Sequence, residues 1–248
     1  MVTGENLPKS RQAPFIIIPT YNEKDNITPL IQIILALNPR YRIIVIDDDS
    51  PDGTHAIVEK LAREEPRIFL LHRIGVRGRG TAGIAGFQRA LAEGAEAVVE
   101  MDADFSHNPE DIPRLFENLS RADVAIGSRM VAGGGETGRA MTRQRITKIA
   151  SFFIRSYLRI PVLDPTSGFR AFRAEALQKI PWDQLQSQGP SIVEELLYYL
   201  HRMGCSIEEI SIQFQERNAG TSTFNLRILI QTLWFVLLLP FKSTIPRA

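Results

Sequence analysis

Short apolar runs alternate with longer amphipathic segments along the N-terminal part of the chain. Four runs rich in β-branched residues predict strands at 15–18, 42–46, 68–71 and 97–101. The segments between them carry apolar residues at helical spacing and predict helices at 25–37, 54–64 and 81–93. Because apolar strands that alternate with helices are typical of a parallel sheet buried on both faces, we expect an α/β fold.

The composition agrees with one globular domain. The chain has 248 residues, a formal net charge of +1 and a single cysteine, Cys205. This length is sufficient to bury a large core, and the balanced charge does not indicate a nucleic-acid-binding protein. A lone cysteine excludes an internal disulfide and cannot form a zinc site by itself. No charged-then-apolar signal segment opens the chain, so we expect a cytoplasmic protein.

The pattern divides the chain into three parts. Residues 1–13 are polar and predict a flexible lead-in, and 14–225 form the domain. Residues 226–248 contain an apolar run from 226 to 241 that Arg227, Gln231 and Thr232 interrupt. Since about 20 apolar residues are needed to span a bilayer, this run predicts an interfacial helix or one packed on the domain.

Polar clusters follow the first two strands, at the positions where open α/β sheets bind ligands. After the first strand, 19–23 offers an aromatic ring, an amide and a carboxylate. After the second, Asp47, Asp48 and Asp49 stand side by side and precede Ser-Pro-Asp-Gly-Thr. One interpretation is a turn followed by a helix cap. The other is recognition of a nucleoside, with a carboxylate accepting from a base N–H or a ribose hydroxyl.

The fourth strand leads into Asp102-Ala103-Asp104. Two carboxylates one residue apart at a strand end can hold one hard divalent cation, and Mg²⁺ and Mn²⁺ favour such oxygen ligands. An isolated Asp-x-Asp is usually a solvated loop, but here the neighbouring clusters favour a metal and phosphate site.

The third strand is followed by a segment, 78–83, that matches the G-x-G-x-x-G fingerprint of dinucleotide-binding proteins. An oxidoreductase is therefore an alternative. That fingerprint normally follows the first strand, however, where this chain has Pro19-Thr20-Tyr21. We therefore interpret the glycines as a close approach of the backbone to phosphate or sugar.

Taken together, these segments resemble the family 2 glycosyltransferases of the GT-A fold, and among them the dolichyl-phosphate (polyprenyl-phosphate) mannosyltransferases. The resemblance covers about residues 14 to 226 and rests on segments in the same order, at 19–23, 46–54, 102–107, 127–129, 164–170 and 216–222. It implies a Rossmann-like, mostly parallel sheet flanked by helices, in a single domain with a C-terminal apolar helix.

The resemblance also implies roles for individual residues. The nucleotide sugar would contact Pro19, Tyr21, Glu23, Ile46, Asp48, Asp102, Ala103, Asp104, Arg129 and Arg217. Mg²⁺ or Mn²⁺ would be held by Asp102, Asp104 and Ser106, the last of which replaces a Gln of many relatives. The catalytic residues would be Asp104, Arg129, Arg217 and Glu195, with the arginines neutralising phosphate and Glu195 near the sugar.

The implied reaction is inverting transfer of mannose from GDP-mannose to a polyprenyl phosphate. An acceptor phosphate is already anionic and needs no general base, whereas a hydroxyl acceptor would need one, with Glu195 or Asp164 as candidates. Alternatives are another donor such as UDP-glucose, a hydroxyl acceptor, or a nucleotide-sugar-binding subunit without turnover.

One position departs from the family. The last motif usually reads Arg-x-x-Gly-x-Ser-Lys, but this chain has Thr223 where the lysine is expected. The site therefore lacks one cation that the family provides. Either Arg227 or a basic residue of 133–161 replaces it, or the donor or acceptor preference has changed, or the enzyme is slow.

The segment 133–161 bears on the acceptor. It mixes basic residues with apolar ones and has no acid between Thr137 and Leu163. Such a mixture suits the headgroup boundary of an anionic membrane and also a lipid phosphate with its first isoprene units. An ordinary amphipathic helix with a solvated basic face is the alternative. No motif supports nucleic acid as a partner, so we expect a peripheral enzyme on the cytoplasmic face of a membrane.

Overall fold

The computed structural model describes residues 13–216 and 226–242, except for the side chains of 226 and 227. Nine strands are assigned in these ranges: β1 Ala13–Thr20, β2 Arg42–Asp47, β3 Ile68–His72, β4 Ala95–Glu100, β5 Val124–Ser128, β6 Gly135–Thr137, β7 Arg170–Arg173, β8 Ile207–Ser211 and β9 Gln213–Gln215. Eight α-helices accompany them: α1 Lys24–Leu37, α2 Thr54–Glu64, α3 Arg79–Ala92, α4 Ile112–Asn118, α5 Met141–Leu158, α6 Ala174–Gln178, α7 Ile192–Arg202 and α8 Leu226–Lys242.

Seven strands form the central sheet, in the order β3-β2-β1-β4-β7-β5-β8. The pairs β1–β2, β1–β4, β2–β3 and β5–β8 are parallel, whereas β7 pairs antiparallel with both β4 and β5. A separate two-stranded sheet joins β6 to β9. The predicted mostly parallel α/β sheet is confirmed.

Helices cover both faces of the sheet, because the strand side chains are apolar on both sides. Phe15 and Ile17 of β1 pack with α3, α6 and α7 on one face, and α5 and α8 extend this layer. Ile16 and Ile18 pack with α1, α2 and α4 on the other face. Alternate residues of one strand therefore contribute to two separate cores, as expected for a buried parallel sheet.

The structure revises two predicted boundaries. The first strand begins at Ala13, inside the predicted lead-in, and continues through Pro19 to Thr20. The predicted strand, 15–18, stops before Pro19, which lacks the N–H group that a strand interior uses. Pro19 is tolerated because the pairing of β1 with β4 ends at Ile17, while the pairing with β2 continues. The proline nitrogen therefore faces no strand that requires a donor.

Helices α5 and α8 pack against each other beside the sheet, and the Tyr157 hydroxyl donates to the Leu237 carbonyl at 2.9 Å. The C-terminal apolar run thus forms a helix, as predicted. Within the parts of the chain that the structure describes, no helix combines the length and hydrophobicity that crossing a membrane requires.

Backbone strain is concentrated at the carboxyl ends of the parallel strands. Asn22, Asp49 and Phe105 have φ of +59°, +56° and +59° and follow β1, β2 and β4 respectively. Non-glycine residues rarely adopt the left-handed region, and such residues cluster at functional sites. These three loops meet at one edge of the sheet, which is where the polar clusters of the sequence lie.

Candidate functional site

The two aspartates that follow β4 lie in a turn that the chain holds by its own hydrogen bonds. Oδ1 of Asp104 accepts from the Ser106 hydroxyl at 2.6 Å and from the Ser106 amide at 3.0 Å. Asp104 is buried, whereas about 29% of the Asp102 side chain is exposed. Asp102, Asp104 and Ser106 are therefore together, as the sequence predicts, and form an oxygen-only set of the kind that Mg²⁺ and Mn²⁺ prefer.

His107 fixes the backbone of this turn. Its Nδ1 accepts from the Asp102 amide at 3.2 Å, and its ring stacks on Phe169 with centroids 4.9 Å apart. Burial lowers the pKa of His107, which keeps the imidazole neutral and leaves Nδ1 able to accept. The sequence analysis included His107 in a motif but gave it no role.

Arg79, at the start of α3, reaches the same carboxylates. Its Nη2 donates to Asp102 Oδ1 at 3.0 Å, and its Nη1 lies 3.5 Å from Glu100 Oε1. Burial opposes the charge of Arg79, but Asp102 and Glu100 outweigh it and raise its pKa further. Burial also raises the pKa of Glu100, the last residue of β4. An internal cation therefore balances the acidic end of this strand.

A second arginine, Arg170, is buried near Arg79 and Glu194. Arg170 is 1% exposed and donates to the carbonyls of Ser167, Val193 and Pro165 at 2.5, 2.6 and 2.5 Å. Burial lowers the pKa of Arg170 to about 10. Glu194 is buried close to it, and this desolvation raises the pKa of Glu194 to about 7 although Arg170 and Arg79 oppose the shift.

Glu195 does not lie with the aspartates. Its carboxylate is fully buried and accepts from the amides of Gln186 and Ser187 at 2.9 and 2.8 Å. The charged group that acts on Glu195 is Lys242, not an arginine of the site. Glu195 therefore fixes the loop before α7, and the adjacent Glu194 is the one that faces Arg79 and Arg170.

Arg129 is occupied by carboxylates of the chain itself. Its Nε and Nη2 each donate at 2.7 Å to the two oxygens of Asp164, and its Nη1 lies 3.4 Å from Glu136. Burial would raise the pKa of Asp164, but Arg129 outweighs it and the pKa lies below its usual value. The role of Arg129 in neutralising phosphate stays a prediction.

The residues predicted to bind the nucleoside lie on the loops after β1 and β2. Asp48 accepts from the Gly78 amide at 2.9 Å and lies 3.3 Å from Arg73 Nε, and burial raises its pKa. Tyr21 is 41% exposed, with the Arg77 guanidinium 4.3 Å from its ring centroid. An aromatic face and a carboxylate are thus available at this edge of the sheet.

The other predicted nucleoside contacts differ in exposure. Glu23 is half-buried and accepts from the Asn26 side chain at 2.8 Å. Pro19 is also half-buried, whereas the side chains of Ile46 and Ala103 belong to the two cores. A ligand would therefore reach Ile46 and Ala103 only through their backbone.

The three adjacent aspartates have different surroundings. Asp47 is fully buried and accepts from Thr20 and twice from Ser50, so it closes the turn. Asp49 Oδ1 lies 3.0 Å from His72 Nε2. Only the middle carboxylate, Asp48, therefore faces the glycine-rich segment. Asp47 therefore fits the interpretation as a structural turn, and Asp48 fits the interpretation as a nucleoside site.

Asp47, His55 and His72 form a possible metal site, since their ligand atoms all lie within 4.8 Å of one another. The two imidazole rings stack with centroids 4.4 Å apart and planes 11° apart. Parallel rings direct their nitrogen lone pairs along parallel planes, so one ring would have to turn before both could bind one ion.

The glycine-rich segment approaches the chain's own backbone. A Cβ at Gly78 would lie 2.6 Å from the Gln188 carbonyl oxygen, and one at Gly80 would lie 2.6 Å from that of Gly189. These glycines therefore allow α3 to pack against the loop before α7. The interpretation that they approach phosphate or sugar misses this contact. Within this segment, the partly exposed Arg79 can still contact a ligand.

Two cavities lie at opposite edges of the sheet. One of about 440 Å³ lies beside α5 and is lined by Arg129, Met130, Val131, Gly134, Lys148, Phe152, Arg155 and Leu163. It combines three cations with apolar walls. A larger one, about 580 Å³, lies at the amino end of β1 beside Pro14 and Arg173, away from the aspartates.

Arg217 and Thr223 lie outside the described residues, so their predicted roles stay predictions. Sequence reasoning missed Arg79, Arg170 and Glu194. Arg79 lies within the glycine-rich segment, Arg170 lies within a quoted motif, and Glu194 is adjacent to the predicted Glu195. For the two arginines, the available signal was an arginine close to the end of a strand. The choice between the two adjacent glutamates depends instead on the orientation of α7.

Comparison with known proteins agrees with the geometry. The profile of glycosyl transferase family 2 matches residues 15–181. Polyprenol monophosphomannose synthase of Mycolicibacterium smegmatis is 39% identical over 213 residues, 85% of this chain and 80% of that protein. Undecaprenyl-phosphate mannosyltransferase of Micrococcus luteus is 39% identical over 206 residues, 83% of this chain and 85% of that protein.

Solved structures support the fold. Glucosyl-3-phosphoglycerate synthase from Mycobacterium tuberculosis, in complex with Mn²⁺, UDP and phosphoglyceric acid, superposes with a TM-score of 0.70. The alignment covers 97% of this chain and 81% of that one, at 21% identity.

The buried Glu194 predicts a pH-dependent difference in stability. Its pKa is about 7 in the folded chain against an ordinary 4.5, so the folded state binds the proton more tightly. Its contribution to the free energy of unfolding therefore falls as the pH rises through that window. We expect Glu194→Gln to gain stability relative to the wild type from about pH 4.5 to about 7, measured by urea unfolding across this range.

The exposed Glu117→Gln, on α4, is the matched control and should show no such trend. A difference between Glu194→Gln and the wild type that stays constant with pH would contradict the assignment.

Proposed function

Because the chain belongs to glycosyl transferase family 2, we propose that it transfers mannose from GDP-mannose to a polyprenyl phosphate. The observation that carries this proposal is the 39% identity, over more than four fifths of the chain, to two proteins named for polyprenyl-phosphate mannosyl transfer. The acceptor phosphate oxygen would form a bond to the anomeric carbon as the bond to the diphosphate breaks. GDP leaves, and the configuration of the sugar is inverted.

The aspartates after β4 suit the donor diphosphate. Asp102, Asp104 and Ser106 offer only oxygen ligands and would hold Mg²⁺ or Mn²⁺. Such a cation supplies stabilisation of the negative charge on the departing diphosphate. Ser106 fixes the Asp104 carboxylate, and His107 fixes the Asp102 amide, so the chain orients both aspartates in advance.

The carboxylates near the site favour a phosphate acceptor over a hydroxyl acceptor. A hydroxyl acceptor needs a general base within reach of its proton. Asp164 is fully buried and paired with Arg129, and Glu195 is fully buried and accepts two backbone amides. Neither candidate base is free to accept a substrate proton, whereas a phosphate oxygen needs none.

The cavity beside α5 suits the polyprenyl phosphate. Lys148, Arg155 and Arg129 would attract the phosphate, while Phe152 and Leu163 would contact the first isoprene units. Arg155 also lies 5.4 Å from the Phe152 ring centroid, so a cation and an aromatic ring are presented together. The cavity thus accommodates the two parts of such a lipid headgroup.

The exposed apolar side chains of α5 and α8 suit a membrane surface. Ile149 and Met141 of α5 are 70% and 67% exposed, and Trp234 and Phe241 of α8 are 64% and 82% exposed. Arg145, Lys148 and Arg155 lie on α5 among them. Apolar groups mixed with cations favour an anionic lipid interface, so we place the enzyme peripherally on the cytoplasmic leaflet, where its acceptor would be available.

The reaction itself provides the first test. Purified protein with labelled GDP-mannose, Mn²⁺ or Mg²⁺ and a short polyprenyl phosphate should yield labelled lipid. Asp104→Asn should reduce the rate by about a hundredfold or more, because it removes a charge predicted to bind the metal. The exposed Asp25→Asn is the control and should retain the wild-type rate.

The outcomes separate the alternatives. Transfer from UDP-glucose but not from GDP-mannose would show that the proposed donor is wrong. Transfer only to a hydroxyl compound would overturn the acceptor. Binding of GDP-mannose without product from any acceptor would favour a nucleotide-sugar-binding subunit.

The cavity beside α5 gives a second prediction. Lys148→Ala should raise the KM for polyprenyl phosphate about tenfold and leave the KM for GDP-mannose unchanged, because a charged hydrogen bond to the acceptor alone is lost. Steady-state kinetics with each substrate varied in turn measure this. Lys60→Ala, an exposed lysine of α2, is the control, and an equal rise of both KM values would contradict the placement.

Membrane association is tested by sedimentation with anionic vesicles. Trp234→Glu should weaken binding to phosphatidylglycerol vesicles about tenfold or more, because a large apolar side chain no longer enters the interface. Ile33→Glu, at a 39% exposed isoleucine of α1, is the matched control. Equal binding of the Trp234→Glu variant and the wild type would place the membrane surface elsewhere.

A further inference from the structure

Arg79 directly contacts Asp102, one of the predicted metal-binding carboxylates. Its Nη2 donates to Asp102 Oδ1 at 3.0 Å, and its Nη1 lies 3.5 Å from Glu100 Oε1. A Cβ at Gly168 would lie 2.6 Å from Nη2, so the glycine leaves room for the guanidinium. About 25% of the Arg79 side chain is exposed, so a ligand at the strand end can reach it.

Arg79 differs from Arg129 and Arg170 in how fully it is bonded. Arg170 donates to three backbone carbonyls, and Arg129 donates to both oxygens of Asp164. Those two arginines are therefore fixed. Nη1 of Arg79 is buried without a hydrogen-bond partner in the described part of the chain. An unsatisfied donor of this kind is costly unless a ligand completes it.

The site also needs a cation that the sequence lacks. The family's last motif places a lysine where this chain has Thr223. The diphosphate of a nucleotide sugar carries two negative charges, and Asp102 and Asp104 add two more, so one divalent cation alone would leave the site negative. Arg79 was not among the expected replacements, which were Arg227 and the basic residues of 133–161. Arg79 is the first residue of α3, next to Gly78, whose amide donates to Asp48, and its own Nη2 donates to Asp102.

We propose that Arg79 binds the diphosphate of the nucleotide donor and supplies the charge that Thr223 does not. This inference rests on the proposed function, since it requires a diphosphate donor. In the structure Arg79 balances Asp102. Once Asp102 serves as a metal ligand its charge is balanced from the other side, and the planar guanidinium can turn its donors to phosphate oxygens.

Binding measurements test this without turnover. Calorimetric titration with GDP, and separately with inorganic pyrophosphate, both in MnCl₂, gives the affinity of the wild type and of Arg79→Leu. We expect the variant to bind both probes about tenfold or more weakly, because a charge-assisted hydrogen bond is lost. Arg89→Leu, on the exposed part of the same helix, is the matched control and should leave both affinities unchanged.

The affinity for Mn²⁺ alone distinguishes a ligand from a structural counter-ion. Electron paramagnetic resonance should show that Arg79→Leu binds Mn²⁺ at least as tightly as the wild type, because Asp102 loses a competing partner. If Arg79 only held the aspartates in place, Mn²⁺ binding would weaken together with GDP binding, and the inference would be overturned.

Two further outcomes keep the inference separate from the proposed function. Equal pyrophosphate affinity of wild type and variant would overturn the inference even if mannosyl transfer occurs. Arg79-dependent pyrophosphate binding in a protein that does not use GDP-mannose would overturn the proposed donor and keep the inference. Should Arg79→Leu not fold, Arg79→Gln keeps hydrogen-bond donors but not the charge, and wild-type pyrophosphate affinity in that variant would also overturn it.

Discussion

Neutralisation of buried charge at the end of β4 is the constraint on which the rest of the site depends. Arg79 interacts with Glu100, Asp102 and Glu194, and Arg170 interacts with Glu100 and Glu194, so two arginines balance three carboxylates. Removing one partner of a buried pair leaves an uncompensated charge, which is costlier than never having buried the pair. This network joins the start of α3, the end of β4, the start of β7 and the first turn of α7, so the elements that shape the site are held together by the groups that carry its charge.

Sequence patterns predicted the fold because its strands are continuous apolar runs, a signal that local composition carries. The strand β7 was not predicted, because Arg170–Arg173 is short and begins and ends with arginine. Arg170 is tolerated inside the sheet only because carbonyls from the loop before β7 and from α7 accept its hydrogen bonds. The carbonyls that accept these hydrogen bonds lie outside the strand. The four residues of β7 alone therefore could not predict the strand or its direction.

The candidate site was predictable where neighbours in sequence remain neighbours in space. Asp102, Asp104 and Ser106 lie in one turn, and the structure keeps them together. The choice between Glu194 and Glu195 could not be predicted, because one residue along a helix turns the side chain by about 100°. One glutamate then faces a buried arginine and its neighbour faces two loop amides. Which of them does so is decided by how α7 packs, and packing is not a local property of the sequence.

The same distribution of charge bears on the choice of acceptor. A glycosyltransferase that deprotonates a hydroxyl must keep a carboxylate accessible and unpaired, yet Asp164 and Glu195 are both used to hold the chain together. Glu194, whose pKa is about 7, is buried and interacts with Arg170 and Arg79. In the cavity beside α5, by contrast, Lys148 is exposed and Arg155 is half-buried, next to apolar walls. An acceptor that arrives already ionised and carries a hydrocarbon chain matches both features, whereas a sugar hydroxyl matches neither.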